Sequence, residues 1–419
     1  MNYVKAYLKA IQDGDEVVSR KVRAVYEREC AWMDNPPFEW TFNEKTGMHP
    51  IRFIETFCRH SKGKWSGKKV VLELFQRAKI QLAFGWLDAT GKRRFREVVD
   101  IRGRKCGKST ETAAVELYML IADGEGGAEC YAVANKLDQA KLVFNEAVNM
   151  RAQSAAIRSM TKKRQSDIYF PGAMASLKAI ASDTKTMDGL NAHFFSQDEI
   201  HEARDSKVYD VMVQSQAARE QPLAWLISTN GYVREAFFDN KYDYASKVAL
   251  WEDGFHDYRL LPLLYELDSR EEWTDEAVWP KANPGLGKIK SIETLRDNVE
   301  KAKRDPTFLP TVLTKDFNVP ENSAAAWLPY EAVLNESAAD MAYLGNTYAI
   351  GGCDLSATTD LTCATLLIRK PEDPNFYVLQ QYFLPQARVN ATEQSNAREA
   401  PYRLWAEQGW LTICEGATV

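Results

Sequence analysis

The segment RGRKCGKST at residues 102–110 contains the residue types best suited to chemistry, and it lies between a predicted strand and a predicted helix. A Gly-Lys-Ser at such a junction lets successive backbone N–H groups point at phosphate oxygens. The Lys108 ammonium would reach the β and γ phosphates of a nucleotide, and the Ser109 hydroxyl would ligate Mg²⁺. The common pattern has glycine where this chain has Arg102, with Gly103 one place later. A chance Gly-Lys-Ser in a basic loop is therefore the alternative.

An acidic pair, Asp198-Glu199, ends an apolar run further along the chain. A P-loop hydrolase needs an aspartate at this point to hold Mg²⁺ through water, and a neighbouring glutamate can polarise the attacking water. By itself the pair is better explained as the cap of a strand-to-helix turn. Because it follows the phosphate loop in the required order, the two features together predict a nucleoside triphosphatase.

Two weaker signals accompany this pair. Ser228, Thr229 and Asn230 end the next predicted strand, where small polar side chains can sense a γ-phosphate, but the same residue types are ordinary at strand ends. Gln76 precedes the phosphate loop, and its amide offers both a donor and an acceptor to an adenine edge. A surface glutamine on a helix is the alternative, and spacing alone favours it.

The elements that would position these residues alternate along the chain. Periodicity predicts a strand at 95–102, a helix at 109–121, a strand at 129–135, a helix at 137–153, a hairpin at 166–183, and strands at 192–199 and 222–231. This alternation predicts an α/β fold with a mainly parallel sheet. A helix is also predicted at 4–30, residues 240–325 are predicted to be helical, and a β-rich pattern begins at 347.

The composition excludes several classes of protein. The chain has 419 residues, 45% of them hydrophobic and 26% charged, as in a globular protein, and its net charge of −5 argues neither for nor against nucleic acid. No apolar run is long enough for a membrane span, and the first residues lack the apolar core of a signal peptide, so secretion is not expected. Seven cysteines without a CxxC pair, and five histidines that do not cluster near them, argue against a zinc site or a disulfide framework.

Taken in order, a set of segments resembles the large subunit of the tailed-bacteriophage terminase over nearly the whole chain. The segments are FGW (84–86), RRFR (93–96), RGRKCGKST (102–110), LDQAKLVF (137–144), MDGLNAHFFSQDEIH (187–201), LISTNG (226–231), KANPGLG (281–287) and GGCDLSATTDLT (351–362). The missing first glycine of the phosphate loop is itself a feature of this family. The resemblance implies a DNA-packaging motor driven by ATP, with an additional-strand P-loop ATPase in its N-terminal half.

The resemblance also implies roles for the ATPase residues. Glu199 would be the catalytic residue that activates water, and Asp198 would hold Mg²⁺ together with Ser109. Arg104 would act as an arginine finger in cis or as a plain phosphate contact, and a finger from a neighbouring subunit is also left open. The motif Ser228-Thr229-Asn230 would couple hydrolysis to movement. ATP would be bound by Gln76, Gly103, Arg104, Lys105, Cys106, Gly107, Lys108, Ser109 and Thr110.

The second domain of the family is an RNase H-like nuclease, in which clustered carboxylates hold two Mg²⁺ or Mn²⁺ ions. Asp354, at the end of YAIGGCD, matches the first of these carboxylates, whereas Asp360 is expected to lie in a turn. The sequence ends at Val419, before the remaining carboxylates of the family, and Glu415 is a candidate only by default. We therefore expect a chain truncated within this domain and deficient as a nuclease.

Four segments are predicted: an N-terminal helical and aromatic collar (1–60), a P-loop ATPase domain (61–240), a helical lid or linker (241–325) and a partial RNase H-like nuclease domain (326–419). The implied partners are double-stranded DNA, the terminase small subunit, the portal protein and further copies of the chain in a ring, with no membrane. The implied location is the host cytoplasm, transiently at the procapsid portal and not in the mature virion. Another P-loop translocase or nucleotide hydrolase, or a truncated form that binds without hydrolysis, is the alternative.

Other polar residues receive simpler interpretations. His193 and His201 flank the acidic pair, but two histidines on either side of a strand end rarely share a metal, and His193 is expected to be structural. A solvated surface is the default for several basic residues that could otherwise touch DNA phosphates, namely Lys62, Lys64, Lys68, Lys69, Arg93 and Arg94.

Overall fold

In the computed structural model, the described residues are 1–181, 187, 189–203, 205–232, 237–252, 254–321, 340–356, 361–389 and 402–416. The chain divides into two compact units, Met1–Tyr330 and Glu331–Val419. Every residue predicted for the nucleotide site lies in the first unit. The finer division into four segments stays a prediction.

The first unit alternates helices and strands along most of its length. Its helices are α1 (Tyr3–Asp13), α2 (Arg20–Asp34), α3 (Glu44–Phe57), α4 (Leu74–Gly85), α5 (Lys108–Ile121), α6 (Leu137–Gln153), α7 (Ala155–Met160), α8 (Lys207–Gln214), α9 (Phe237–Leu250), α10 (Ile292–Arg304) and α11 (Leu309–Asp316). Its strands are β1 (Thr41–Phe42), β2 (Trp86–Leu87), β3 (Glu97–Ile101), β4 (Glu129–Ala134), β5 (Lys162–Lys163), β6 (Asp167–Phe170), β7 (Ala175–Ala181), β8 (Ala192–Asp198), β9 (Leu223–Ser228) and β10 (Leu260–Leu264).

An eight-stranded sheet with the order β10-β3-β9-β8-β4-β7-β6-β5 is the centre of this unit. The strands from β10 to β7 run parallel, and β6 and β5 add antiparallel strands at one edge. The predicted α/β fold with a mainly parallel sheet is confirmed. Strand β9 lies between β3 and β8, with Ser228 opposite Ile101 and Ile227 opposite Asp198. The carboxyl ends of these three strands therefore meet at one edge of the sheet.

Helices cover both faces of the sheet, as a parallel sheet requires, because each strand alternates between two cores. Along β3, Val98 packs in a core formed mainly by α1–α6, whereas the adjacent Val99 packs in a second core with α8 and α9. In β9, Trp225 likewise packs in the first core and the adjacent Leu226 in the second. The unit is thus a three-layer α/β/α arrangement that holds the strand ends rigidly.

Two predictions about individual elements are wrong. The helix predicted at 4–30 is two helices, because Gly14 ends α1 in a left-handed conformation (φ 84°) and the Ser19 side chain caps α2. The region predicted to be helical from residue 240 contains the strand β10. Pro262 is unusual within a strand, because proline cannot donate a backbone hydrogen bond. The proline is tolerated here because β10 lies at the edge of the sheet and needs fewer ladder hydrogen bonds.

After β10, the chain builds a small layer with its own apolar core, here called the 267–319 layer. Helices α10 and α11 pack Leu295, Val299, Leu313 and Phe317 around Trp279 of a 3-10 helix, Glu276–Lys281. The Ser291 side chain caps the start of α10. Basic side chains in the last turn of α10 interact favourably with the negative end of the helix dipole. This layer borders the phosphate loop.

The second unit contains a four-stranded sheet with the order β11-β12-β13-β14. Strands β11 (Ala349–Asp354), β12 (Thr362–Ile368) and β13 (Tyr377–Pro385) are antiparallel neighbours, and β14 (Leu411–Cys414) runs parallel to β13. Two short helices, α12 (Met341–Leu344) and α13 (Tyr402–Glu407), accompany them. Across both units, none of the described helices is long and apolar enough to cross a membrane.

Candidate nucleotide-binding site

The phosphate loop connects β3 to α5 through two residues in the left-handed region. Gly107 has φ 79° and precedes the first residue of α5, and Lys105 has φ 66°. A side chain rarely adopts such a φ, so the loop is held in a conformation that local preference does not favour. The first N–H groups of α5 have no partner within the helix, and they form an anion-binding end at this point.

Lys108 begins α5 and is buried. Its Nζ donates to the backbone carbonyls of Arg102, at 2.6 Å, and Gly103, at 3.2 Å. Burial lowers the pKa of Lys108 to about 8. The ammonium is therefore held inside its own loop by neutral acceptors, which an anion bound there would outcompete.

Arg102, where glycine is common, supports the loop from within the core. Its guanidinium donates to the Cys106 carbonyl at 3.2 Å and pairs with Asp100 at 2.9 Å and Glu111 at 3.1 Å. Lys79 of α4 also pairs with both carboxylates, and all four side chains are fully buried. These two positive and two negative side chains neutralise one another and join α4, β3, α5 and the loop. Because the Arg102 side chain is part of this network, the loop does not need glycine at position 102.

The first residues of the loop are attached to the 267–319 layer. The Gly103 N–H donates to the Ala282 carbonyl at 2.8 Å, and the Arg104 N–H donates to the Lys315 carbonyl at 2.7 Å. A Cβ at Gly103 would lie 2.4 Å from Asn283 Oδ1. These two N–H groups anchor the loop, so the donors that remain for a phosphate lie further along it and in the first turn of α5.

Asp198 ends β8 and Glu199 follows it at the same edge of the sheet, and their environments separate their pKa values. Burial, together with the charge of Glu199, raises the pKa of Asp198 to about 7. Burial also acts to raise the pKa of Glu199, but the contact with His201 and the nearby lysine charges lower it to about 2. Glu199 has φ 51°, which is unusual for a glutamate and places the residue at a strained position. The environment of Glu199 thus favours its ionised form, whereas the environment of Asp198 favours its protonated form.

The predicted coupling motif is buried and is bonded to neighbouring elements. Ser228 Oγ accepts from the His201 N–H at 3.2 Å, and its distance to His201 Nδ1 is 2.9 Å. Asn230 donates two hydrogen bonds to Asn318, one from its backbone N–H to Oδ1 at 2.8 Å and one from its Nδ2 to the backbone carbonyl at 2.9 Å. The Thr229 hydroxyl is buried and has no hydrogen-bond partner among the described residues. The motif therefore contacts both His201, two residues after the acidic pair, and the end of the 267–319 layer.

Gln76 lies in the wall of a cavity of about 450 Å³ that also touches Gly107 and Thr110. Its Oε1 accepts from the Glu73 N–H, and its Nε2 donates to Glu111, both at 2.9 Å. The amide keeps one further donor and one further acceptor position. Gln76 is a buried residue and not a surface glutamine, and its role at an adenine stays a prediction.

The remaining residues of the loop differ in their exposure. Arg104 and Lys105 are exposed, and no described residue is bonded to the Arg104 guanidinium. Cys106 is fully buried with its Sγ 3.6 Å from Asn283 Oδ1, and burial raises the pKa of its thiol. Ser109 and Thr110 are half-buried in the first turn of α5. The structure brings the predicted loop residues, the acidic pair and the coupling motif together.

The second unit does not assemble a comparable site from its described residues. Asp354 is the exposed last residue of β11, opposite Cys363, and Asp360 lies outside the described residues. Glu415 follows β14, three strands away across the sheet, which is about 14 Å at the usual strand spacing. Among the described residues, no three His, Cys, Asp or Glu side chains come close enough to hold a metal ion together. Glu415 therefore does not share a metal site with Asp354.

Two of the basic residues considered for DNA contacts are excluded from that role. Arg93 and Arg94 are buried, and they pair with Asp123 and with Glu29, the latter at 2.6 Å. His193 is buried and bonded to Asp123 at 2.7 Å, far along β8 from its carboxyl end, as a structural histidine would be. Lys62, Lys68 and Lys69 are exposed.

Sequence reasoning missed the residues that hold the site together from behind. Lys79, Asp100 and Glu111 are charges inside apolar runs, and such charges signal buried pairing. Asn283 belongs to the KANPGLG segment, which resembles the terminase family but contains nothing that indicates a structural role for the asparagine. Nothing local in the sequence indicates that Lys315 approaches the phosphate loop, because that contact depends on how the 267–319 layer packs.

Two family models match the chain in order. "Terminase large subunit, ATPase domain" matches residues 74–247, and "Terminase large subunit, endonuclease domain" matches residues 255–419. The second match begins within the first unit, since β10 and the 267–319 layer pack with the ATPase sheet.

Individual relatives agree with the family models. The terminase large subunit of Enterobacteria phage HK97 is 27% identical over 382 residues, which cover 89% of this chain and 72% of that protein. Protein YmfN of Escherichia coli K12 is 27% identical over 242 residues, which cover 55% of this chain and about half (52%) of that protein. The crystal structure of the HK97 large terminase has a similar fold, with a TM-score of 0.57 at 24% identity over 89% of this chain and 74% of that chain. Matched by both of its domain models, the chain belongs to the terminase large subunit family.

Proposed function

We propose that the first unit binds and hydrolyses ATP with Mg²⁺, and that the chain uses this hydrolysis to move double-stranded DNA into a procapsid. One observation carries the proposal: the phosphate loop, the acidic pair and the coupling motif meet at the carboxyl ends of β3, β8 and β9. Ligands of open α/β sheets bind at this edge.

Phosphate binding falls to the first turn of α5 and to Lys108. The unpaired N–H groups and the helix dipole attract the phosphates. Lys108 would exchange its bonds to the Arg102 and Gly103 carbonyls for phosphate oxygens, and the negative charge would restore its lowered pKa. The Arg104 guanidinium is exposed and has no partner among the described residues, so it is available to contact a γ-phosphate in cis.

Hydrolysis is assigned to the acidic pair. A Mg²⁺ ion bound to the nucleotide offsets phosphate charge, and Ser109 and Asp198 supply the hydroxyl and carboxylate oxygens that suit this ion. Glu199, ionised at neutral pH, accepts a hydrogen bond from the attacking water and orients it. Ser228, Thr229 and Asn230 would transmit the loss of the γ-phosphate to the elements that they contact.

The base of the nucleotide is assigned to the cavity beside Gln76. Apolar side chains, including Val70, Leu72 and Ile289, line this cavity next to Gly107, and an adenine needs such walls together with a few polar groups. The remaining donor and acceptor positions of Gln76 match an adenine edge. The cavity lies next to the α5 N-terminus, as a nucleotide spanning both sites requires.

For the nuclease reaction we name only Asp354. The resemblance to the family implies a carboxylate cluster with two Mg²⁺ or Mn²⁺ ions, and among the described residues Asp354 belongs to no group of three or more His, Cys, Asp or Glu side chains that could hold a metal. One carboxylate cannot neutralise two divalent ions, so no step of DNA cleavage is derived for this chain.

DNA and the packaging machinery are the proposed partners. Exposed basic residues lie in the segments 62–69 and 158–164, both of which adjoin α6 through contacts of Lys62 with Glu146 and of Arg151 with Thr161. We assign the binding of DNA phosphates to the exposed basic residues of these two segments. A small subunit, a portal protein and further copies of the chain in a ring at the procapsid would complete the motor in the host cytoplasm.

The proposal is tested by steady-state ATP hydrolysis with Mg²⁺, with and without double-stranded DNA, in the full chain, Lys108→Ala and Glu199→Gln. Loss of Lys108 should abolish nucleotide binding. Glu199→Gln should keep binding and lower turnover by about 100-fold or more, the usual worth of a positioned general base. Glu220→Gln makes the same chemical change at an exposed residue and should leave turnover unchanged.

Hydrolysis that persists unchanged in both site variants would refute the proposal. Binding of ATP without turnover under any condition would support the alternative of a binding form that does not hydrolyse. Nucleotide-dependent strand separation would instead support a helicase-like translocase.

A further inference from the structure

A single buried imidazole joins the acidic pair to two other elements of the first unit. His201 lies in the 3-10 helix Ile200–Glu202 directly after Glu199. Its Nδ1 is 3.0 Å from Glu199 Oε2 and 2.9 Å from Ser228 Oγ, and its Nε2 is 2.6 Å from Lys315 Nζ. One ring therefore touches the carboxylate assigned to water activation, the coupling motif and α11.

The partners of the ring fix where its proton lies. A lysine ammonium can only donate, so the Lys315 contact requires an unprotonated Nε2 that accepts. The proton of a neutral imidazole is then on Nδ1, which is hydrogen-bonded to Ser228 Oγ and lies 3.0 Å from Glu199 Oε2, a buried oxygen with no other hydrogen-bond partner among the described residues. This is the tautomer that can hold Glu199 by a charge-assisted hydrogen bond.

The surroundings of the ring leave it little freedom to rotate. A Cβ at Gly231 would lie 3.0 Å from His201 Cδ2, so the backbone after the coupling motif packs directly against the imidazole. Phe238 of α9 meets the ring edge-on, with centroids 6.3 Å apart. The side chain is only 4% exposed. A ring held in this way fixes the position of whatever it bonds.

We propose that His201 is a positioning residue of the ATPase site, which orients the Glu199 carboxylate through Nδ1 and connects it to Ser228 and α11. This inference rests on the proposed function. The strained backbone of Glu199 (φ 51°) persists only where surrounding contacts hold it, and the His201 ring supplies one such contact. Movement of α11 or of the end of β9 would then be transmitted to the Glu199 carboxylate through the His201 side chain.

Two substitutions distinguish the contributions of the two ring nitrogens of His201. The amide nitrogen of His201→Asn takes about the position of Nδ1, and the amide of His201→Gln takes about the position of Nε2. His201→Asn therefore keeps a donor for Glu199 and loses the Lys315 contact, whereas His201→Gln does the reverse. His193→Gln, at a buried histidine of β8, keeps the Nε2 donor to Asp123 and is the matched control.

The measurement is kcat and KM for ATP in the full chain, with thermal unfolding and ATP-analogue binding as checks of folding. His201→Gln should lower kcat by roughly 10- to 100-fold, as residues that orient a functional group from behind do. KM should change little, because Lys108 and the loop are untouched. His201→Asn should restore most of kcat, and His193→Gln should match the parent.

A double-mutant cycle with Glu199→Gln isolates the route of the effect. If His201 acts through Glu199, adding His201→Gln to Glu199→Gln should lower kcat no further. Equal losses in the Asn and Gln variants, or losses that add to that of Glu199→Gln, would overturn the inference. If neither His201 variant folds, Ser228→Ala is used in the same cycle, and additivity there overturns the inference as well. An inactive parent or a fully active Glu199→Gln would instead refute the proposed function.

Discussion

Adjacent carboxyl groups in this site differ because their immediate contacts differ. Asp198 is surrounded by apolar strands and by the charge of Glu199, so its protonated form is favoured. Glu199 has the His201 contact and nearby lysines, so its ionised form is favoured. Divergent pKa values in a neighbouring pair are typical of groups with different tasks, and the tasks proposed here are cation binding for Asp198 and water activation for Glu199.

A third carboxyl, that of Glu116 on α5, lies behind this pair and touches no proposed substrate. Its Oε1 accepts from Ser196 Oγ at 2.5 Å, and its side chain is fully buried. Burial raises the pKa of Glu116 from 4.5 to about 8, with the Ser196 bond opposing the shift. Between these two pH values, the unfolded chain is ionised at this residue and the folded chain is not. The free energy of unfolding therefore falls as pH rises through this window, by up to about 1.4 kcal/mol per pH unit.

We expect Glu116→Gln to remove this penalty. The variant should unfold at a higher temperature than the parent at pH 8, and the difference should shrink towards pH 5, where the parent keeps its proton in the folded state. Thermal unfolding at both pH values tests this, with the exposed Glu39→Gln as the control. A difference that is the same at pH 5 and pH 8 would contradict the assigned pKa.

The site depends at the element scale on how the 267–319 layer packs against the strand ends. The loop N–H groups of Gly103 and Arg104, the coupling residue Asn230 and the His201 ring are all bonded to residues of that layer. Lys290 is buried beneath the loop and bonds Asn283 at 2.7 Å and Asp316 at 2.6 Å. The layer thus determines the shape of the phosphate loop as much as β3 and α5 do.

Gly103→Ala tests this attachment. The added methyl would lie 2.4 Å from Asn283 Oδ1 and 2.7 Å from the Asp316 carbonyl, both held by other bonds, so the loop must move. Overpacking of this kind costs about 1–3 kcal/mol. We expect weaker binding of an ATP analogue, by up to about 100-fold if the whole cost falls on the binding conformation. Gly126→Ala has free space around its Cβ and should bind normally. Normal affinity in Gly103→Ala would show that the loop does not depend on this contact.

Charge is distributed unevenly over the whole molecule, although its net value is only −5. Arg93 and Arg94 are neutralised inside the first unit, whereas Lys162, Lys163 and Arg158 are exposed. Lysines on the edge strand β5 also discourage pairing with other sheets, and this second role does not exclude DNA contacts. An acidic protein can therefore still present a surface for DNA.

Replacing Lys162 and Lys163 with glutamine should weaken DNA binding and its stimulation of hydrolysis while leaving basal turnover intact. If both lysines contact phosphates, the slope of log K against log salt should fall in magnitude by about 2, since each contact contributes about 0.9. Replacing the exposed Lys5 and Lys9 of α1 removes the same charge and should leave the slope unchanged. Equal slopes in the parent and the Lys162/Lys163 variant would exclude this region as a DNA contact.

The sequence by itself determined the α/β class and most of the sheet strands, and it identified the phosphate loop and the acidic pair as the candidate site. These features are local, because apolar periodicity and the loop residues act over a few positions of chain. It missed β10, since Pro262 contradicts a strand unless the strand lies at an edge, and the edge is a property of the finished sheet.

Only the tertiary structure decided why Arg102 replaces glycine, where the loop is anchored and what touches Glu199. Each answer joins residues distant in the chain, such as Lys79 with Glu111, Gly103 with Ala282, and His201 with Lys315. Such contacts leave no periodic mark in the sequence, since they arise when separate layers pack at one edge of the sheet. The residues proposed to do the chemistry could therefore be identified from the sequence, and the residues that hold them in place could not.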